Sequence, residues 1–156
     1  MTTIDRRAQA RAEIMEKTGT DEALIERLVR AFYARIRADE MLGPIFNERI
    51  DDWEFHIQRL CAFWSSVALS TGAYSGSPMQ KHLRLPIDGR HFDHWLGLFR
   101  QTATEICPPV AADFLIERAD RIAESLELAI AGEQGVLLFK GDRLRRPDDQ
   151  VSLPNR

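Results

Sequence analysis

Asp51 to Ser70 reads DDWEFHIQRLCAFWSSVALS. Trp53, His56, Ile57, Leu60, Trp64 and Val67 recur there at steps of three and four, which lines them along one stripe of a helix. The stripe is apolar apart from one imidazole, so His56 is carried inward. A second period starts at Thr20, read as an N-cap, with Asp21 and Glu22 in the first turn, where the helix dipole favours acids. Leu24, Ile25, Leu28, Val29, Phe32 and Ile36 then share a face, and the helix is expected to end near Arg37 to Asp39, ahead of Gly43-Pro44. After an Asp88-Gly89 turn, Phe92, Trp95, Leu96, Phe99, Thr102 and Ile106 form a third stripe, closed by Pro108-Pro109. Phe114, Leu115, Ala119, Ile122, Ala123, Leu126 and Ile130 form the fourth, with Gly132 placed to cap it.

No stretch alternates at period two between turn residues, and Val136 to Phe139 is the only short apolar run of ambiguous type. Four long helices without a sheet must bury their stripes on one another, which predicts a compact all-α fold. At 156 residues the chain is one domain's worth, long enough to enclose a flat cofactor in its core. Residues 1–19 read as a helix-permissive N-terminal extension, 20–132 as the folded domain and 133–156 as a tail. The tail carries two prolines and five arginines or lysines. Val136 to Phe139 is expected to dock and the remainder to be mobile.

Charged residues make up 29% of the chain and the net charge is −3, with both signs interspersed. No broad basic face calls for nucleic acid or an anionic membrane. No apolar run approaches the roughly 20 residues of a membrane helix, and Met1 to Asp5 lacks a signal peptide's start, so a cytoplasmic protein is expected. Cys61 and Cys107 have neither metal-ligand spacing nor a disulfide framework around them, and read as small buried apolar residues.

The chemistry-bearing residues are few. His82 lies 26 positions after His56, on a short segment between Pro78 and Pro86 for which Ser77 is a cap and Pro78 a first helical residue. A haem iron uses such a pair of walls: one imidazole fixed as axial ligand, and a separate surface facing the open position. On local sequence alone, a histidine so placed is more often a surface or capping residue. Tyr33 brings a hydroxyl to the edge of an apolar face, where it must find a partner; it reads equally as an ordinary amphipathic tyrosine. Trp95 offers an indole N–H, though tryptophan on a helical stripe is more often simply core. His91 and His94 are taken as exposed; their three-residue step would suit zinc on a helix, but no third ligand is near in sequence.

Five short words occur in a fixed order: Phe32-Tyr33, LGPIF at Leu42 to Phe46, WEFH at Trp53 to His56, FWSS at Phe63 to Ser66, and HFDHWLGLF at His91 to Phe99. Together, over about Asp21 to Ile130, they resemble a truncated haemoglobin of the third group. The loop word Tyr-x-Gly-x-Pro of that group stands here as Tyr74, Gly76 and Pro78.

The resemblance implies a truncated globin fold, a helical sandwich around haem b (iron protoporphyrin IX) with a short proximal helix. It makes His82 the iron ligand and places Tyr33, Trp95 and His56 on the distal side, where Tyr33 and Trp95 donate to the ligand and His56 acts as a gate. Leu60 would crowd the ligand, Phe46 would stack on the porphyrin, and Leu85, Ile87, Phe92 and Phe99 would line the pocket. Trp53 and Trp64 remain core, with Trp64 near the cofactor edge. Arg59 and Lys81 are the cations for the propionates, and both read equally as solvated surface charges.

Dioxygen, nitric oxide, carbon monoxide or peroxide are the implied ligands of a five-coordinate iron. Two strong donors over the open position slow dioxygen release by about 1 to 3 kcal/mol, which suits nitric oxide dioxygenase or peroxidase-like redox chemistry better than oxygen transport. Non-catalytic dioxygen binding or sensing, and a cofactor-free helical interaction domain, are the competing readings. No flavin or nicotinamide motif is present, so electrons would come from an external reductase. The expected state is a monomer or weak dimer.

Overall fold

Six helices and no strand are found among residues 2–70, 85–139 and 141–147, which the computed structural model describes: α1 (Thr3–Thr18), α2 (Glu22–Ala38), α3 (Gly43–Arg49), α4 (Trp53–Leu69), α5 (Gly89–Ile106) and α6 (Pro109–Glu133). The four expected long helices are α2, α4, α5 and α6. The predicted short helix around His82 lies outside the described residues. No helix among those described is long and apolar enough to cross a membrane.

The start of α2 shows local chemistry at work. Asp21, not Thr20, is the N-cap: its carboxylate accepts the Leu24 N–H at 2.8 Å. Thr20 is fully buried instead, its hydroxyl accepting from that of Thr18 at 2.8 Å. That pair fixes the chain between α1 and α2. The N-terminal extension is thus a capped helix: Thr2 and Asp5 form a capping box and Gly19 closes the end at φ 74°. Ile14 packs against the main core, while most other described side chains of α1 face solvent.

The helix α3 was not foreseen, because Gly43-Pro44 reads as a break. Proline is compatible with a first helical turn, and here Pro44 stands in it. Asp39, just past α2, accepts the N–H groups of Met41 (3.0 Å) and Leu42 (2.9 Å) and so shapes the intervening turn. Glycine is required at position 43: a Cβ there would lie 2.8 Å from the Arg37 carbonyl oxygen.

Helix α2 packs on both α4 and α5, and α5 packs most extensively on α6. The principal core lies between them, around Ile25, Leu28, Phe32, Ile36, Leu69, Phe99 and Leu115, each at most 2% exposed. Phe99 is held between Trp64 (5.2 Å, 15° between planes) and Trp95 (5.7 Å, 18°), a stack joining α4 to α5. A second core gathers Ile45, Ile87, Phe92, Ala123, Ile130 and Leu144.

Leu144 corrects the reading of the tail. Of the run expected to dock, only Leu138 packs on the second core; Val136, Leu137 and Phe139 are 40%, 76% and 69% exposed, whereas Leu144 is 1% exposed. Nor does Gly132 cap α6; the helix runs to Glu133 and Gly135 takes the left-handed turn at φ 76°.

Candidate functional site

Where α2, α3, α4, α5 and α6 converge they leave a cavity of about 440 Å³. Its size and largely apolar lining are those of a small-molecule or cofactor site. Each wall comes from a stripe that the helical period carries inward: Tyr33 from α2, Ile45 and Phe46 from α3, His56 and Leu60 from α4, Phe92 and Trp95 from α5, Ile122 and Leu126 from α6. Leu85 and Ile87, just ahead of α5, complete it.

The polar groups are sparse and placed with care for their protons. Tyr33 is 5% exposed, and burial pushes its phenol above the ordinary tyrosine range. The Trp95 indole N–H beside it offsets part of that shift. A tyrosine kept neutral by burial retains its proton, which it can donate into the cavity. Phe32 packs edge-on against both rings (4.9 Å to Tyr33, 5.3 Å to Trp95) and holds the pair in register.

His56 stands beside this pair. Its ring meets Tyr33 at 6.4 Å and Trp53 at 5.7 Å, both edge-on. Trp53 is itself tethered: its N–H donates to Asn47 Oδ1 at 3.2 Å, and the Arg37 guanidinium lies 4.8 Å above its ring. Phe55, Arg59 and Arg121 line the outer part of the cavity, with Arg59 over the Phe55 ring at 5.8 Å.

Of the residues singled out from sequence, Tyr33, Phe46, His56, Arg59, Leu60, Leu85, Ile87, Phe92 and Trp95 all face this one cavity. Phe99 does not; it sits behind the wall, clamped between Trp64 and Trp95, and Trp64 does line the cavity. His82 and Lys81 lie outside the described residues.

His91 is the clearest correction. It was expected to be exposed; it is 1% exposed and borders the cavity. The Asp88 N–H donates to its Nδ1 at 3.1 Å, in a capping box that starts α5. His94 turns elsewhere, with Nε2 2.7 Å from Asp39 Oδ1, so the two histidines do not converge on a metal. Among the described residues no group of three His, Cys, Asp or Glu could hold a bare ion.

Sequence reasoning also missed Arg121 and Ser125, one turn apart on α6 beside the apolar stripe it did find. A flat apolar group with charged edges fits what is present: aromatic and aliphatic walls, a buried hydroxyl donor, and arginines only toward the outside.

Residues 13–128 match the family described as "Bacterial-like globin". The chain belongs to the bacterial-like globins. It is 33% identical over 108 residues to the group 3 truncated haemoglobin of Campylobacter jejuni subsp. jejuni, an alignment covering 66% of this chain and 85% of that protein. The crystal structure of the group III truncated haemoglobin from Campylobacter jejuni superposes with a TM-score of 0.67 at 32% identity, over 71% of this chain and 91% of the other. The fold is thus that of a truncated haemoglobin of the third group, and membership of the globins carries haem-based binding of small diatomic ligands.

Proposed function

We propose that this globin holds haem b through His82 and uses the opposite wall, carried by Tyr33, to bind dioxygen and related ligands for redox chemistry of nitric oxide, dioxygen or peroxide. The observation that carries the reading is the Tyr33 hydroxyl, buried and kept neutral beside the Trp95 indole in an apolar cavity. A phenol kept neutral by burial has its own proton to offer. An acceptor bearing partial negative charge is what such a site favours.

The bound haem supplies an iron that takes diatomic ligands and exchanges electrons. The chain does the rest. Leu85 and Ile87 stand in the cavity wall, and His82 precedes Leu85 by three residues, at most about 11 Å of chain, which keeps it within reach of the cavity. Phe46 and Phe92 supply flat apolar surface, Leu60 limits the space for a ligand, and Arg59, Arg121 and Lys81 are the cations for the propionates. His56, between Tyr33 and the tethered Trp53, is placed to gate entry. Trp95 acts through Tyr33: it fixes the hydroxyl and polarises its proton toward the cavity.

Strong donation to a bound ligand slows its release, which favours reaction over delivery. Electrons are to come from a separate reductase. Haem titration of the apoprotein tests the cofactor and should saturate at one equivalent with a Soret band. Mixing the reduced, dioxygen-equilibrated protein with nitric oxide tests the chemistry, and rapid stoichiometric nitrate is the expected product. Dioxygen binding without nitrate formation would leave the chain a binder or sensor.

A further inference from the structure

Beyond Phe139 the chain leaves its exposed apolar residues in solvent and returns to the body of the protein for four residues, Arg143 to Arg146. These lie outside residues 13–128, the part matched to the globin family. Leu144 enters the second core beside Ile45, Ile87, Phe92 and Ala123, all four of which also line the cavity. Its backbone is held on both sides: the Gly89 N–H donates to the Leu144 carbonyl at 2.9 Å, and the Leu144 N–H donates to Glu127 Oε2 at 2.8 Å.

The flanking arginines complete two buried anchors. Glu127, 6% exposed, also accepts from Arg143 Nε at 3.0 Å, while Arg143 Nη2 reaches the Gly89 carbonyl at 3.0 Å. Asp88, fully buried, accepts the Arg146 N–H at 3.1 Å, and Arg146 Nη1 donates to the Leu85 carbonyl at 3.0 Å. Gly89 is the floor of this contact; a Cβ there would meet Arg143 Nη2, Glu127 Oε2 and the Leu144 carbonyl oxygen at 3.0 to 3.2 Å. Without the segment, Glu127 would lose its partners and Asp88 part of its own, and a buried carboxylate left unpaired is strongly unfavourable.

We propose that Arg143–Arg146 is a strap that positions the cavity wall at Leu85, Ile87 and Phe92, and that its hold sets how slowly the cavity gives up its haem; this rests on the haem reading above. Leu144 is the plug and Arg146 the tie to the Leu85 backbone. Both are positioning residues, since neither lines the cavity. The strap explains why four residues after an exposed loop are packed so specifically: they brace one side of the cofactor site from behind.

The test measures haem transfer from the full-length protein to an excess of a haem-scavenging apoglobin. Leu144→Ala should speed transfer by roughly ten-fold or more, about 1.4 kcal/mol at this temperature, and Leu144→Met should restore it. Arg146→Ala, which leaves the plug in place, should speed transfer to a smaller extent. Leu115→Ala, an equally buried truncation in the other core, is the control: it should lower the melting temperature without a comparable change in transfer. Hydrogen exchange of the haem-free protein gives a second readout, with the Ile87 and Gly89 amides less protected in Leu144→Ala than in Leu115→Ala. Transfer rates that simply follow lost stability in both truncations, or that do not change in Leu144→Ala, would overturn the strap. A wild-type protein that takes up no haem would instead sink the haem reading, and the retention role with it.

Discussion

The Trp95 indole N–H acts on the buried Tyr33 hydroxyl and offsets part of the rise that burial imposes on its pKa, so two side chains that sequence treats as parallel donors are coupled to one another. In the proposed site Tyr33 is the direct donor and Trp95 acts through it. The arrangement orders the consequences of mutating each.

Tyr33→Phe removes the direct donor and keeps the ring that packs on Phe32. Dioxygen release should quicken by roughly ten-fold or more, corresponding to about 1.4 kcal/mol for one lost hydrogen bond. Carbon monoxide carries less negative charge on its outer oxygen and should respond less. Stopped-flow release of both gases checks this; equal acceleration would point to a widened pocket.

Trp95→Phe removes a donor to Tyr33 and should quicken dioxygen release by less than Tyr33→Phe does. In the Tyr33→Phe background the same change should add little, because its partner is gone, and the double-mutant cycle should show strong coupling. Fully additive effects would mean that Trp95 reaches the ligand independently of Tyr33.

Phe99 fills the space between Trp64 and Trp95 and is 1% exposed. Phe99→Ala should cost about 3 to 5 kcal/mol of stability through the cavity it leaves. Chemical denaturation of the haem-free protein measures the loss. A cost under about 1 kcal/mol would mean that the stack is not part of the folding core.

How far all this was legible in sequence depends on the range of the interaction. His56, Leu60, Phe92 and Trp95 were turned inward by the helical period, whereas Tyr33, at the edge of its stripe, was assigned to the pocket by the family resemblance, and all five face the cavity. The start of α3 was lost because Gly-Pro was read only as a stop, although proline also opens helices. His91 was misplaced although its signal was local: three residues after Asp88 it closes a capping box, and that buries it. Leu144 could not be seen. A single leucine among arginines has no period, and its partners Glu127 and Gly89 are 17 and 55 residues away.

Acid should loosen the strap. Burial raises the Asp88 carboxyl, but hydrogen bonds from Arg90 and from the Arg146 backbone outweigh it and leave the pKa at about 2. The unfolded chain, with an ordinary aspartate near ~3.9, binds more protons in this range, so the contribution is complete above that value and is lost as the pH falls toward 2. Asp88→Asn should be less stable at neutral pH and show a shallower loss of stability between about pH 4 and 2. Parallel slopes for the two proteins in acid denaturation would contradict it.

The central claim is that this cavity carries haem on His82 with Tyr33 opposite. Absorption spectra of the ferrous and carbon monoxide forms of wild-type and His82→Ala protein test it most directly. The wild type should give a ferrous Soret band that shifts on adding carbon monoxide, while His82→Ala should bind haem weakly and regain the wild-type ferrous spectrum when free imidazole is supplied. A normal ferrous spectrum in His82→Ala, unchanged by imidazole, would contradict the account and pass the role of iron ligand to His56.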